Sequence, residues 1–348
     1  MSTTATKSDS LAADTQFTKG FEQLNKGMFE ECGGKAANLG ELSKLRLNVP
    51  YGFSVLGDSF YHHLAANGVR DKIDDIAATL TVEDYADLET KTAAIRQLIE
   101  EAPVPVEIEK AITEKYLRMS DDPAPLVAVR SSVAIKGSAI SSFPGLMDTF
   151  HYVKGAPDVI GKVRECWASI WSARAAFTRL AKGLQHNQAV IAPTVQLMVN
   201  SEVAGVLFTM NPVNRSREEI VIEANWGLGE TVVSGRCSSD YYVVRKLCRS
   251  YGLRTCPACP ADCFAIREEK IANKTETCVQ ASAGGRQWVQ NSAERVKRAT
   301  LDPGKVHQLC SASCAIEEHF GVPQDIEWAF ANGQLYILQA RRAKAGGK

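Results

Sequence analysis

The stretch DIEWAFANGQLYILQAR, residues 325–341, decides how the end of the chain folds. Apolar strand-forming residues stand on both sides of an Asn332-Gly333 pair, which is the strongest short signal for a β-hairpin. The sequence therefore predicts two antiparallel strands joined by a tight turn. The polar residues inside these otherwise apolar strands are Asp325, Glu327, Gln339 and Arg341.

The length of the turn decides whether these polar side chains share one face of the hairpin. A two-residue turn would place Glu327 opposite Leu338 and direct Gln339 to the other side. A three-residue loop over 331–333 would place Asp325 opposite Gln339 and bring all four polar side chains to one surface. We predict the three-residue form. The opposite face would then be the core, with Ile326, Trp328, Phe330, Tyr336, Leu338 and Ala340.

The polar surface of the hairpin is a candidate magnesium site, because carboxylate and amide oxygens are the hard ligands that Mg²⁺ prefers. The candidate ligands are Glu327, Gln339 and Asp325. The alternative is a solvated face of a hairpin. It accounts for the carboxylates but gives no reason for Gln339 and Arg341 in the second strand.

A second candidate site follows the apolar strand in PLVAVRSS. Arg130 ends this strand, and an arginine there is normally paired or binds an anion. Ser131 and Ser132 add hydroxyl groups, and the Gly- and Ser-rich loop that follows brings Gly145 and Thr149. This composition fits a polyphosphate site. An internal salt bridge of the arginine is the alternative.

The segment GGKAANLG, residues 33–40, predicts a glycine turn that opens a helix. Backbone N–H groups and the dipole at such a helix start favour an anion, and Lys35 adds a positive charge. The segment is not a P-loop, because Phe29 stands where that motif has glycine and Ala36 stands where it has Ser or Thr. A capped helix with a surface lysine is the alternative.

Composition excludes several classes of function. The 348 residues carry 40 Lys plus Arg and 40 Asp plus Glu, so no overall charge attracts nucleic acid or an anionic membrane. No apolar run approaches the roughly 18 residues of a membrane helix. The polar N-terminus has no signal-peptide core, so we expect a disordered leader over 1–17, a cytoplasmic location and mostly reduced cysteines.

Helical and strand patterns are mixed along the chain without strict alternation, which predicts an α+β (mixed α/β) fold with antiparallel sheet. Residues 69–118 and 158–182 have helical patterns, and strands follow at PTVQLMV, AGVLFTM and EIVIEA. Gln196 and Met198 lie in the first of these strands. Exposed backbone groups and a flat apolar side chain there can hold a purine, although a core strand is the default.

The cysteines and histidines carry less information. Cys256, Cys259 and Cys263 have a spacing found in zinc and redox sites, but the second pair of a four-cysteine zinc site is missing at the usual distance. We favour reduced thiols over a structural metal. None of the six histidines stands in a glycine- and threonine-rich loop.

Seven stretches, taken in order, resemble the ATP-grasp nucleotide-binding domain of the dikinase family, which includes phosphoenolpyruvate synthase, pyruvate phosphate dikinase and rifampicin phosphotransferase. They are GGKAANLGEL, VRSS, FPGLMDTF, VQLMV, AGVLFTMNP, EANWGLGETVVSG and PQDIEWAFANGQLYILQAR. The resemblance covers roughly residues 18–342. The resemblance implies an N-terminal lobe at 18–195, a C-terminal lobe at 196–342, a nucleotide cleft between them and a tail at 343–348.

The resemblance also assigns roles to residues of the first lobe. Lys35 and Arg130 would hold the phosphates of ATP, and Gly145 and Thr149 would lie in the loop that covers them. Gln196 and the backbone near Met198 would hold the adenine at the hinge.

In the second lobe, the resemblance implies that Glu327 and Gln339 bind Mg²⁺, with Asp325 beside them. Arg341 would contact the transferred phosphates. Lys35, Arg130 and Arg341 would then act in catalysis, together with the metal, by positioning the phosphates and neutralising their charge.

Members of the family transfer the β,γ-phosphates of ATP to a histidine on a mobile carrier domain and release AMP. The carrier motif, threonine, then cysteine or serine, then histidine and alanine, does not occur here. The resemblance therefore implies a partner subunit that bears the histidine and the acceptor site, as in phenylphosphate synthase, which phosphorylates phenol. The alternatives are a split or excised domain of phosphoenolpyruvate synthase or of an antibiotic phosphotransferase, and a nucleotide-binding regulatory module without turnover.

Overall fold

The computed structural model describes residues 16–135, 148–247, 263–281 and 285–343. Gly145, Cys256 and Cys259 lie outside these residues, as does most of the predicted leader. Phe17 is buried in the core, so the folded part of the chain includes it. The chain divides into two compact units, one holding Tyr51–Met198 with the described residues through Gly40, and the other holding Glu41–Pro50 with the described residues from Val199.

The first unit combines helices with short strands. Its helices are α1 (Phe29–Ser43, whose last three residues fall in the second unit), α2 (Gly57–Ala66), α3 (Arg70–Ala78), α4 (Tyr85–Glu101), α5 (Val106–Leu117), α6 (Ala156–Ser169) and α7 (Ala173–Ala181). Its strands are β1 (Thr18–Gly20), β2 (Gly52–Val55), β3 (Leu126–Arg130), β4 (Val133–Ile135), β5 (Thr149–Lys154), β6 (Ala189–Ile191) and β7 (Thr194–Leu197).

Five of these strands form one antiparallel sheet in the order β1-β2-β7-β3-β5, and β4 pairs with β6. One face of the five-stranded sheet belongs to the main core of the unit, where Phe53, Val129 and Val195 are fully buried together with side chains of α4, α5 and α6. The helical pattern at 158–182 is two helices, because residues 170–172 separate α6 from α7.

The second unit is built around a larger sheet. Its elements are β8 (Val203–Phe208), β9 (Glu219–Trp226), α8 (Glu230–Val233), β10 (Asp240–Lys246), β11 (Phe264–Lys270), β12 (Glu276–Gln280), β13 (Arg286–Gln290), α9 (Ala293–Lys297), α10 (Pro303–Phe320), β14 (Gln324–Ala331) and β15 (Gln334–Arg342). Six strands form a sheet in the order β11-β10-β9-β8-β14-β15, and β12 pairs with β13. All pairings between the strands named here are antiparallel, and helices accompany both sheets, which confirms the predicted α+β class.

The turn between β14 and β15 corrects one prediction. Ala331 pairs with Gln334, so the turn has two residues, and both Asn332 (φ 51°) and Gly333 (φ 74°) adopt the left-handed conformation that a tight hairpin turn requires. The predicted three-residue loop over 331–333 is therefore wrong. This turn is favoured because its twist matches that of the two strands it joins.

A β-bulge at Leu338 nevertheless brings the polar residues to one face. Trp328 pairs with Ile337, but its neighbour Glu327 pairs with Gln339, so Leu338 is the extra residue on β15. A bulge shifts the register by one residue, as the longer loop would have done. Beyond the bulge, Asp325 lies opposite Arg341.

The same bulge changes the expected core residues of β15. Between the turn and the bulge, Leu335 and Ile337 are buried, whereas Tyr336 and Leu338, which were expected in the core, are half-buried. On β14 the prediction holds, because Ile326, Trp328 and Phe330 are each at most 1% exposed.

A buried ion pair fixes the segment after β11 to the six-stranded sheet. Lys274 Nζ lies 2.6 Å from Asp240 Oδ1, and both side chains are completely buried. Asp240 also accepts hydrogen bonds from the backbone of Ala272 and from both the backbone and the hydroxyl of Thr300. The carboxylate is therefore compensated by a positive charge and three further donors, the condition under which a buried charge is tolerated.

The segment Glu41–Pro50 is attached to the second unit by side-chain contacts. Glu41, which is 5% exposed, accepts from Lys44 at 2.9 Å and pairs with His319 at 2.7 Å. Asn48 donates to the Leu335 carbonyl and accepts from the Ile337 backbone. An early segment of sequence thus completes a unit formed mainly by the last part of the chain.

Among the described residues, none of the helices combines the length and the apolar character that crossing a bilayer requires.

We predict that Asp240→Ala lowers the free energy of unfolding by about 3–5 kcal/mol, because it leaves the buried Lys274 ammonium without its charge partner. Urea unfolding measures the change. Glu218→Ala is the matched control, since Glu218 belongs to an exposed pair with Arg245 at 3.8 Å and its loss should cost less than about 1 kcal/mol. Equal costs for the two variants would contradict this account.

Candidate functional site

The glycine turn before Lys35 brings the start of α1 onto the end of β3. Gly33 interrupts α1 with φ 71° and ψ 169°, so the predicted turn opens a helix at this point. A Cβ atom on Gly33 would lie 2.4 Å from Ser132 Oγ and 2.7 Å from its backbone carbon. Only glycine combines this conformation with so close an approach.

Two polar contacts then fix Lys35. Its side-chain ammonium donates to the Ser131 carbonyl at 2.6 Å, and its backbone N–H donates to Ser132 Oγ at 3.1 Å. One of the helix-start amides that was expected to face an anion is therefore occupied by a serine hydroxyl. The half-buried ammonium is held one residue beyond Arg130.

Arg130 and Gln196 lie side by side on neighbouring strands. Arg130 Nη1 donates to Gln196 Oε1 at 3.3 Å, and Gln196 is 3% exposed. Thr149 lies opposite Arg130 on the other side, where β5 pairs with β3, and its side chain is exposed. The first unit therefore brings together four of the predicted site residues, Lys35, Arg130, Thr149 and Gln196.

The serine that follows Arg130 has a structural role. Ser131 Oγ donates to the Asp148 carbonyl at 2.9 Å, and the Ser131 backbone N–H donates to the same oxygen. Both bonds hold the end of β3 against the residue that precedes β5. The proton of this hydroxyl is therefore used within the fold, next to Arg130.

Met198 directly follows β7, and the purine contact predicted for it involves the backbone. Its N–H donates to the Leu126 carbonyl at 2.9 Å, and its side chain is half-buried. This N–H therefore serves the sheet. The roles predicted for Gln196 and Met198 in holding adenine stay predictions.

The second unit brings together the four polar residues of the hairpin. Gln339 Nε2 donates to Glu327 Oε1 at 3.3 Å, and Arg341 contacts Asp325 through both Nε and Nη2 at 2.8 Å. The two pairs occupy neighbouring positions on one face. The side chain of Asp325 is 12% exposed and that of Arg341 is 52% exposed.

Burial is the largest influence on the pKa of the Asp325 carboxyl. It raises the pKa of this carboxyl, and the charge of Glu327 raises it further, whereas Arg341 lowers it through its charge and its hydrogen bond. The net direction is upward. A carboxylate that is costly to ionise in the free protein gains from a cation placed beside it.

These residues fit a magnesium ion that is shared with phosphates. Mg²⁺ is commonly bound by one or two carboxylates together with water and substrate phosphates, rather than by a complete protein cage. Within the described part of the chain, no group of three or more His, Cys, Asp or Glu could hold a metal ion. Glu327, Gln339 and Asp325 supply two carboxylates and one amide, the partial set that such sharing needs.

One further carboxylate of this surface was missed by the sequence analysis. Glu327 pairs with Val206 on β8, and Val206 pairs with Glu223 on β9, so the two glutamates lie in one row of the sheet. Glu223 interrupts the apolar run EIVIEA. The criterion applied to the hairpin, a charged residue inside an apolar strand, identifies it.

The spacing of Cys256, Cys259 and Cys263 suggested either a metal site or reduced thiols. Cys256 and Cys259 lie outside the described residues. Cys263 is half-buried, whereas the thiols of Cys310 and Cys314 on α10 are buried. Burial raises the pKa of Cys314 to about 12. The preference for reduced thiols over a metal stays a prediction.

Comparison with known proteins gives one family. The model of the family described as "Pyruvate phosphate dikinase, AMP/ATP-binding domain" matches residues 29–348. The chain is 36% identical over 339 residues to a probable phosphoenolpyruvate synthase of Methanocaldococcus jannaschii, and 34% identical over 363 residues to the phosphoenolpyruvate synthase of Pyrococcus furiosus. It is 32% identical over 323 residues to the rifampicin phosphotransferase of Bacillus subtilis.

These relatives are longer proteins. The matched region covers 97%, 94% and 92% of this chain, respectively, but 27%, 43% and 35% of the three relatives. The chain thus spans less than half the length of each of them.

We predict that Gly33→Ala destabilises the chain by at least about 1–3 kcal/mol, because alanine is strained at this φ and ψ and its Cβ would meet the Ser132 backbone. Thermal or urea unfolding measures the loss. Gly161→Ala in α6 is the control, since nothing lies within 4 Å of the added Cβ, and it should stabilise by about 0.5–1 kcal/mol. The same sign for both variants would contradict the analysis.

We predict a pH-dependent difference between wild type and Asp325→Asn. Because the folded pKa of Asp325 is raised, the contribution of this residue to the unfolding free energy falls as pH rises from the unfolded aspartate pKa, about 3.9, through the folded pKa. Asp325→Asn removes this loss, so above the folded pKa the variant should be the more stable. Urea unfolding of the free chain across this range measures it.

The exposed Asp71→Asn variant controls for removal of one negative charge. A difference between wild type and Asp325→Asn that stays constant over the whole pH range would show that the aspartate acts by something other than its ionisation.

Proposed function

Because the chain belongs to the family of the pyruvate phosphate dikinase AMP/ATP-binding domain, we propose that it transfers the β,γ-phosphates of ATP to a histidine of a partner subunit. In this reaction the histidine nitrogen forms a bond to the β-phosphorus. The bond from that phosphorus to the oxygen bridging it to the α-phosphate breaks, and AMP leaves.

The observation that carries this proposal is the position of the two cations in the first unit. The Lys35 ammonium donates to the Ser131 carbonyl at 2.6 Å. Arg130, the residue before Ser131, lies at the same strand end and contacts Gln196. Two positive charges at one strand end fit a polyphosphate. We assign them to the phosphates of ATP, where they would neutralise charge in the transition state.

Three further residues are assigned by the same proposal. Glu327 and Gln339, with Asp325 beside them, would hold Mg²⁺, and the metal supplies charge neutralisation on the phosphates when it is bound. Arg341 would contact the transferred phosphates. The paired arrangement on one hairpin face supports treating these residues as a set.

A partner is proposed because none of the six histidines of this sequence lies in the carrier motif. We propose phenol as the acceptor, as in phenylphosphate synthase. We also propose that the reaction takes place in the cytoplasm. The second candidate is pyruvate, since relatives at 34–36% identity are named phosphoenolpyruvate synthase.

We predict that Arg130→Ala weakens ATP binding about 10- to 100-fold, the effect of losing one charge-assisted hydrogen bond of about 1.5–3 kcal/mol. Titration calorimetry with ATP and Mg²⁺ measures the affinity, and thermal unfolding should show a nearly intact fold. Arg70→Ala is the matched control, because Arg70 is exposed and its pair with Asp74 spans 3.8 Å. Unfolding of Arg130→Ala would show that this arginine is structural instead.

The acceptor is tested in the same preparation with a histidine-bearing partner and with phenol, pyruvate or rifampicin added in turn. Formation of AMP that requires the partner and increases with phenol supports the proposal as stated. Stimulation by pyruvate alone favours a phosphoenolpyruvate synthase reaction. Tight ATP binding without AMP in any combination would replace the proposal with a regulatory nucleotide-binding module.

A further inference from the structure

One row of polar residues crosses the whole five-stranded sheet of the first unit. Strand register places Lys19 opposite Ser54, Ser54 opposite Thr194, Thr194 opposite Arg130 and Arg130 opposite Thr149. Each of the five strands contributes one residue to this row, which we call the polar row. Its members come from widely separated parts of the sequence.

The polar row faces away from the main core of the unit. The residues that precede Ser54 and Arg130, Phe53 and Val129, point into that core and are fully buried. Because side chains alternate along a strand, the polar row lies on the other face. Gln196, two residues after Thr194, shares that face and accepts the hydrogen bond from Arg130.

Residues of helix α1 contact this sheet at two points. Glu31 of α1 lies 3.6 Å from the Lys19 ammonium at one end of the polar row. Lys35, one turn further along, is fixed at the end of β3 by its contacts with Ser131 and Ser132. The centre of the polar row is enclosed, since Ser54 and Thr194 are both 0% exposed.

The two enclosed hydroxyls have no hydrogen-bond partner among the described residues, not even each other. A buried hydroxyl without a partner costs on the order of 1–3 kcal/mol. Residues directly opposite each other in a sheet have Cβ atoms about 4.5–5.5 Å apart. Two hydroxyls at that spacing can hold one water, which needs about three polar partners to remain buried.

We propose that Ser54 and Thr194 are positioning residues for Arg130: their hydroxyls hold one buried water that hydrogen-bonds the Arg130 guanidinium and fixes its direction. Arg130 follows Thr194 in the polar row. Its guanidinium has five donors in a fixed plane, so it can serve Gln196, this water and a phosphate at once. The inference rests on the proposed function, since the group being positioned is the one assigned to ATP.

We predict that Thr194→Val weakens ATP binding about threefold to tenfold, the effect of one lost hydrogen bond, while the melting temperature of the free chain changes by less than about 2 °C. Ser54→Ala should act in the same way. The double variant should be no weaker than either single one, because both hydroxyls hold the same water. Titration calorimetry and thermal unfolding measure the two quantities.

Three controls make the test specific. Thr194→Ser keeps the hydroxyl and should bind ATP like wild type. Thr18→Val changes a buried threonine of the same sheet that pairs with Val55, in the row next to the polar row, and should leave ATP affinity unchanged. In the Arg130→Ala background, Thr194→Val should have no further effect, because the hydroxyl acts through the arginine. An undiminished effect there would overturn the proposal.

A crystal structure of the free wild-type chain tests the inference independently of ATP. It should show one water within hydrogen-bond distance of Ser54 Oγ, Thr194 Oγ1 and the Arg130 guanidinium, and the Thr194→Val structure should not. Direct bonding between the two hydroxyls would overturn the inference. A chain that binds no ATP would refute the proposed function, while the crystallographic result still decides this one.

Discussion

The contact between Gly33 and Ser132 is the constraint on which the candidate site of the first unit depends. A Cβ at position 33 would lie 2.4 Å from Ser132 Oγ, so the helix can approach the strand only at a glycine. This approach allows Ser132 to accept the backbone N–H of Lys35 and brings the ammonium to the Ser131 carbonyl. The neighbouring positions of two cations therefore follow from the absence of one side chain.

Strand parity organises the functional surfaces of both units. In the first unit, the sheet directs Phe53 and Val129 into the core and leaves Arg130 and Gln196 on the other face. In the second unit, the bulge at Leu338 changes which residues of β15 share a face: odd-numbered residues near the turn lie on one face, and odd-numbered residues beyond the bulge lie on the other. The turn can thus take its preferred two-residue form while Gln339 stays beside Glu327. Bulges are known to re-aim side chains in this way.

Local signals in the sequence were sufficient for single elements. Helix α10 shows this at both ends, because the Asp302 side chain accepts the Lys305 amide before Pro303, and Gly321 ends the helix in the left-handed conformation. Such signals act within one helical turn and can be read without knowing the rest of the fold. The roles of the site residues were assigned from the family resemblance, because it compares the order of several such segments at once.

Long-range neighbours could not be read in the same way. Gln196 lies beside Arg130 only because β7 is inserted between β2 and β3, and no periodicity in the sequence specifies that order. The same order creates the row that joins Ser54 to Thr194, and neither residue stands out in its own segment. The four polar residues of the hairpin share one face as predicted, but the cause is the bulge at Leu338 and not a three-residue loop. Nothing in QLYILQAR marks Leu338 as the extra residue.

The attachment of Glu41 and Asn48 has a consequence for synthesis of the protein. Their partners, His319 and Leu335, follow 278 and 287 residues later in the chain. During translation, which proceeds from the N-terminus, the segment Glu41–Pro50 leaves the ribosome long before β15 exists. The second unit therefore cannot be completed until β15 has been made, and these contacts of high sequence separation are expected to form late in folding.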